Sequence, residues 1–109
     1  MKELEDIQKL AILHCVYQLI ASADGSIEEE RDLPAIDFAL SELGVTSAYS
    51  WNSALQLNPY DCFTHVAGLN DDNKQLFREL LFVVTTMGGH ETLRITCAKH
   101  LLQLCNVVL

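Results

Sequence analysis

The chain has 109 residues, fifteen acidic against seven Lys plus Arg side chains, a formal net charge of −8, and half of its residues are hydrophobic. That hydrophobic share excludes a disordered chain, and the length suits one domain, 1–109, with one core. The acidic balance without a basic patch excludes a nucleic-acid-binding surface and points to a cation or a basic partner.

In chain order, Leu4, Ile7, Ala11, Cys15 and Leu19 recur at helical spacing between Glu3 and Ala23, flanked by a second stripe of Ile12, Val16, Ile20 and Ala23. This first helix is apolar nearly all round from Leu10 onward, which predicts a central, buried position. Asp24-Gly25 marks a turn, since glycine reaches positive φ and Asp bonds nearby amides. Glu28, Glu29 and Glu30 then crowd the start of the next segment, where carboxylates complement the helix dipole. A second helix runs to about Leu43 with Leu33, Ile36, Leu40 and Leu43 inward. The reading preferred for Pro34 is a short acidic turn bending into a main helix capped by Asp32, with Pro34 in its first turn. Gly44 ends that helix as a C′ residue.

Thr46 or Ser47 caps a third helix through Tyr49, Trp51, Ala54, Leu55 and Leu57. Asn58-Pro59 reads as an N-cap followed by proline at N1, opening a short fourth helix with Phe63, Val66 and Ala67 inward and Gly68 as its stop. Asn70-Asp-Asp-Asn73 caps a fifth, carrying Leu76, Phe77, Leu80, Leu81 and Val84. Its tail from Phe82 to Thr86 is β-branched, yet the upstream spacing keeps it helical. After Gly88-Gly89 a last helix holds Leu93, Cys97, Leu101, Leu104 and Cys105. Sliding the chain by 64 residues pairs Leu13 with Phe77, Val16 with Leu80, Ile20 with Val84 and Gly25 with Gly89. The expected fold is therefore an all-α, single-domain bundle of about six helices. Two related helix–turn–helix halves are joined by a short helical connection.

The corner Ala21-Ser-Ala-Asp24-Gly25-Ser-Ile27-Glu28-Glu29-Glu30 resembles the "ADG-x-[IV]-x-x-E" turn of the TerB-like (tellurite-resistance protein B-like) family. About ten residues carry the motif, while the helical layout is similar along nearly the whole chain. The resemblance implies an all-α bundle of two related halves and an acidic, metal-binding surface. It also implies a bacterial role in stress response or scaffolding, in a family linked to tellurite stress, phage defence and membrane-associated assemblies. Two departures stand out: Arg31 occupies a position where the family often places Glu, and the second corner, Met87-Gly-Gly-His-Glu-Thr92, lacks the Asp.

Read chemically, the corner is not a calcium EF-hand. With Asp24 and Gly25 at loop positions five and six, the ligand positions fall on Ile20, Ser22 and Arg31, and calcium needs six to eight oxygens. Two readings remain. In one, Asp24, Glu28, Glu29 and Glu30 hold a partly hydrated divalent cation such as calcium, and the domain interacts in a cation-dependent way. In the other the corner is only a helix cap and the domain is a metal-independent protein–protein module.

Cys97 with His100, and His14 beside Cys15, lack the four convergent ligands of structural zinc, so buried thiols and surface or capping histidines are expected. No P-loop, GxGxxG, GxSxG or HExxH occurs, so no catalysis is expected. Tyr49, Trp51 and Tyr60 form a candidate interaction surface, with cover of the core as the favoured alternative. The apolar end Cys105–Leu109 either docks on the core or offers an oligomer contact. Unpaired cysteine spacing, an acidic N-terminus and no spanning segment point to a reduced, cytoplasmic protein without membrane insertion.

Overall fold

The computed structural model describes residues 4–21, 29–45, 48–87 and 91–107, with only the backbone at 29–32, 48–51 and 91. It contains α1 (Asp6–Ala21), α2 (Glu29–Glu42), α3 (Ala48–Leu55), α4 (Pro59–Ala67), α5 (Asp71–Thr85) and α6 (Glu91–Leu104). No strand occurs among the described residues, in line with the all-α expectation.

α1 is the axis and packs against each of the other five helices. Every residue from Ala11 to Val16 is buried, as are Leu19 and Ile20. A helix apolar on all sides has no solvent face to present, so surrounding it is the only placement that removes those side chains from water. Each fully buried Ile, Leu or Val contributes about 1.5–3 kcal/mol. Its first turn is closed by the Gln8 side chain, which accepts the Glu5 amide at 2.9 Å, the return half of a capping box.

α2 corrects the sequence reading at its start. The helix begins at Glu29, so Pro34 lies inside it and has no N–H to donate to the Glu30 carbonyl. Pro34 faces solvent, where water can take that carbonyl. The inward face is Ala35, Ile36, Ala39 and Leu43; Leu33, expected inward, is exposed. Small alanines let α2 approach its neighbours without displacing core side chains. The end is as expected: Gly44 has φ +69°. The Val45 amide reaches the Leu40 carbonyl at 2.8 Å and the Gly44 amide the Ser41 carbonyl at 3.1 Å, a Schellman motif.

Asn58 caps α4, its Oδ1 accepting the Tyr60 amide at 2.8 Å, with Pro59 at N1. Asn70 caps α5 through the Asn73 amide at 2.9 Å. The β-branched end of α5 is helical as far as Thr85, and its hydroxyls bond back one turn: Thr85 donates to the Phe82 carbonyl at 2.6 Å and Thr86 to that of Val83 at 2.7 Å. The cap expected at Thr46 or Ser47 and the Gly88-Gly89 break lie outside the described residues.

α6 is rotated from its expected register. Arg94, Ala98, Leu101, Leu102 and Cys105 are buried, whereas Leu93 and Leu104 are exposed. It ends in a second Schellman motif, with Asn106 at φ 56° and the Val107 amide on the Leu102 carbonyl at 2.8 Å. Val107 is buried, so this part of the apolar C-terminal segment docks on the core. The 64-residue offset carries α1 onto α5 almost end to end, and Leu13, Val16 and Ile20 share buried positions with Phe77, Leu80 and Val84. It fails between α2 and α6, where buried Ala35, Ile36 and Ala39 fall on exposed Lys99, His100 and Gln103.

Candidate functional site

α1 ends at Ala21 and α2 opens at Glu29, so the acidic corner is a helix-to-helix connection. Asp24 and Glu28 lie outside the described residues. Glu29 and Glu30 are the first two residues of α2, where a carboxylate complements the positive helix end; their side chains are not among those described. The structure therefore gives no ligand geometry for these four residues.

At the C-terminal ends of α1 and α5 the structure places a side chain that the sequence reading passed over. Arg94 is fully buried. Its Nη1 donates to the Met87 carbonyl just beyond α5, and its Nη2 to the Ile20 carbonyl of α1 at 3.4 Å. Helix C-termini leave orphan carbonyls and partial negative charge, and one planar guanidinium meets both ends at once. Positive charge thus sits beside the last turn of α1, one residue before the chain leaves for the acidic stretch. Arg94 stands five residues after Gly89 in sequence, where a surface charge on a helix would ordinarily be expected; only the packing of α6 across two helix ends buries it.

Of the other candidate ligands, His14 and Cys15 lie within the core. His14 is buried; its Nδ1 donates to the Ala54 carbonyl at 2.9 Å and its Nε2 accepts from Gln18 Nε2 at 2.9 Å. This assignment follows from the carbonyl, which can only accept. His14 therefore ties α1 to the last turn of α3, correcting its expected surface or capping role. His65 and His100 are exposed. Among the described residues no group of three or more His, Cys, Asp or Glu is disposed to hold a metal.

Cys15, Cys62 and Cys105 are buried free thiols, as expected, and Cys97 is half-buried. The hydrogen bond with Cys105, and then burial, push the Cys15 thiol well above its ordinary value. Burial, and then the Asp61 charge, push Cys62 from 9.0 up to about 11. The thiolate is the nucleophile and metal ligand, so these groups are inert. A pH dependence follows. Above pH 9 an unfolded Cys62 releases its proton while the folded one keeps it, so the unfolded state binds fewer protons and stability falls as pH rises towards 11. Urea unfolding at pH 8, 9.5 and 11 should show a smaller alkaline loss in Cys62→Ala than in the parent; equal losses would exclude Cys62 as a source.

Of the three aromatic candidates, Tyr60 is 76% exposed and meets Phe63 edge-on at 6.4 Å between centroids. Tyr60 therefore does not cover the core, contrary to the favoured reading for it. Tyr49 and Trp51 lie in α3, with side chains outside the description. No helix of the described residues is long and apolar enough to cross a membrane. No family model, no curated protein and no solved structure matches this chain.

Proposed function

We propose that this chain is a non-catalytic, TerB-like binding module that engages a protein partner without metal, its acidic Asp24–Glu30 corner acting as a helix start. The observation that carries this reading is the buried Arg94 guanidinium on the Ile20 and Met87 carbonyls. It supplies positive charge from within the chain at the end of α1, so the negative end of that helix is met without a metal ion. The all-α layout of six helices among the described residues supports the likeness to TerB-like domains. The non-catalytic part is supported by His14, whose ring nitrogens are both engaged, and by Cys15 and Cys62, held as protonated thiols. A scaffolding role in bacterial stress response belongs to the same reading.

Thermal unfolding of metal-stripped protein, with and without calcium, magnesium, manganese or zinc, tests it against the cation-dependent alternative. On this reading no ion shifts the transition, and Asp24→Ala changes stability equally with and without ions. An ion bound only by the folded state at about a hundred times its Kd adds roughly 2.7 kcal/mol. A shift of that kind, abolished in Asp24→Ala, would make the corner a cation site.

A further inference from the structure

Between α2 and α5 lies a half-open groove of about 130 Å³, lined by Phe38, Glu42, Leu76, Glu79, Leu80 and Val83. Leu76, Glu79, Leu80 and Val83 follow i, i+3, i+4, i+7 along α5, and Phe38 and Glu42 stand one turn apart on α2. Leu80 is buried and forms the base, Phe38 and Leu76 are half-buried, and Val83 is 42% exposed. An engineered apolar cavity of about 150 Å³ holds benzene, so this space fits the end of one Leu or Phe side chain. Among the described residues the two charged groups at the groove are carboxylates, and both are exposed. Gln75 Nε2 donates to Glu79 Oε1 at 2.8 Å, across one turn of the same helix. Glu42 is the last residue of α2, where a carboxylate faces the negative end of the helix dipole. A charge that local helix physics disfavours, beside an unfilled apolar groove, is the kind of local conflict that functional surfaces carry.

We infer that this groove docks a basic amphipathic helix of a protein partner. One large apolar side chain enters between Phe38 and Val83, and Lys or Arg on either side of it meets Glu42 and Glu79. The inference rests on the binding-module reading and names its surface. Helix-in-groove recognition uses this pattern of an apolar anchor flanked by complementary charge. A second copy of the chain is disfavoured, because a two-fold contact on this face would set Glu42 and Glu79 against their own copies.

The test uses a fluorescent Leu–Lys amphipathic peptide of about four helical turns, with a Leu–Glu peptide of the same pattern as control. Binding is followed by anisotropy at low and high salt and mapped by amide chemical shifts. The Leu–Lys peptide should bind, moving amides of residues 38–42 and 76–83, while the Leu–Glu peptide does not. Glu42→Lys with Glu79→Lys should weaken binding about ten-fold or more, and Val83→Glu should weaken it separately. All three positions are exposed, and Glu42→Lys favours its helix end, so these variants should melt near the parent temperature. Shifts centred outside the groove would overturn the inference and leave the binding-module reading standing. No binding, or affinity unchanged in the variants, would also overturn it. A cation effect lost in Asp24→Ala would instead strike the metal-free reading, whatever the peptide does.

Discussion

Arg94→Ala should lower the unfolding free energy by about 3–5 kcal/mol, a large share of the roughly 5–15 kcal/mol that holds a domain of this size. The guanidinium is wholly removed from water, and its two terminal nitrogens hold carbonyls at the ends of α1 and α5. Truncation leaves those acceptors without their donor, removes positive charge from two negative helix ends and opens a cavity where the stem was. Arg94→Lys should recover little, because a single ammonium cannot reproduce the span between Met87 and Ile20. Arg94→Met should restore the stem's packing without its hydrogen bonds, so its stability should fall between the parent and the alanine variant. Urea titrations of the four proteins check the order. A loss below about 1 kcal/mol in Arg94→Ala would mean that water and the remaining side chains meet the helix ends without it.

The burial of Arg94 also shows where reading the chain residue by residue stops. Features carried by adjacent residues were legible: Asn58-Pro59 and Asn70 cap their helices, and Gly44 closes α2 at positive φ. So was the central place of α1, because an all-round apolar helix allows only one environment. Features decided by neighbours distant in sequence were not. His14 has the same local pattern whether it faces water or the Ala54 carbonyl, forty residues away. Pro34 argued for a helix starting later than Glu29, but an exposed proline costs a helix one bond that water partly replaces. The corner itself was legible only as sequence: the motif stands in the chain, while cation binding depends on side-chain convergence, which spacing alone does not supply.

The groove and the corner answer different questions about a module of this kind. Charge at the corner bears on the start of α2, while the buried Arg94 ties the end of α1 to α6. Charge at Glu42 and Glu79 is turned away from the core and bears on what approaches it. On an acidic chain both could be mistaken for general surface negativity, yet Glu42 and Glu79 flank an apolar groove. Partner selection by rim charge should appear mainly in association rate and salt dependence, with the apolar anchor setting residence time.

Two neighbouring leucines of α6 provide the sharpest test of the register that builds this bundle. Leu102 is fully buried and Leu104 is 54% exposed, although helical periodicity alone places Leu104 inward and passes over Leu102. Leu102→Ala should cost about 2–5 kcal/mol, since the removed side chain loses its transfer energy and leaves a cavity that the surrounding helices fill only in part. Leu104→Ala should stay within about 0.5 kcal/mol of the parent, with alanine's helix propensity offsetting the small area lost. The two substitutions change the same chemistry two residues apart, so propensity and unfolded-state effects largely cancel in the comparison. In this register Arg94, Ala98, Leu101, Leu102 and Cys105 share one helical face, which leaves Leu93 and Leu104 outside. Guanidinium chloride unfolding of both variants reads the difference directly, and equal losses, or a larger loss at Leu104, would require α6 to pack through the opposite face.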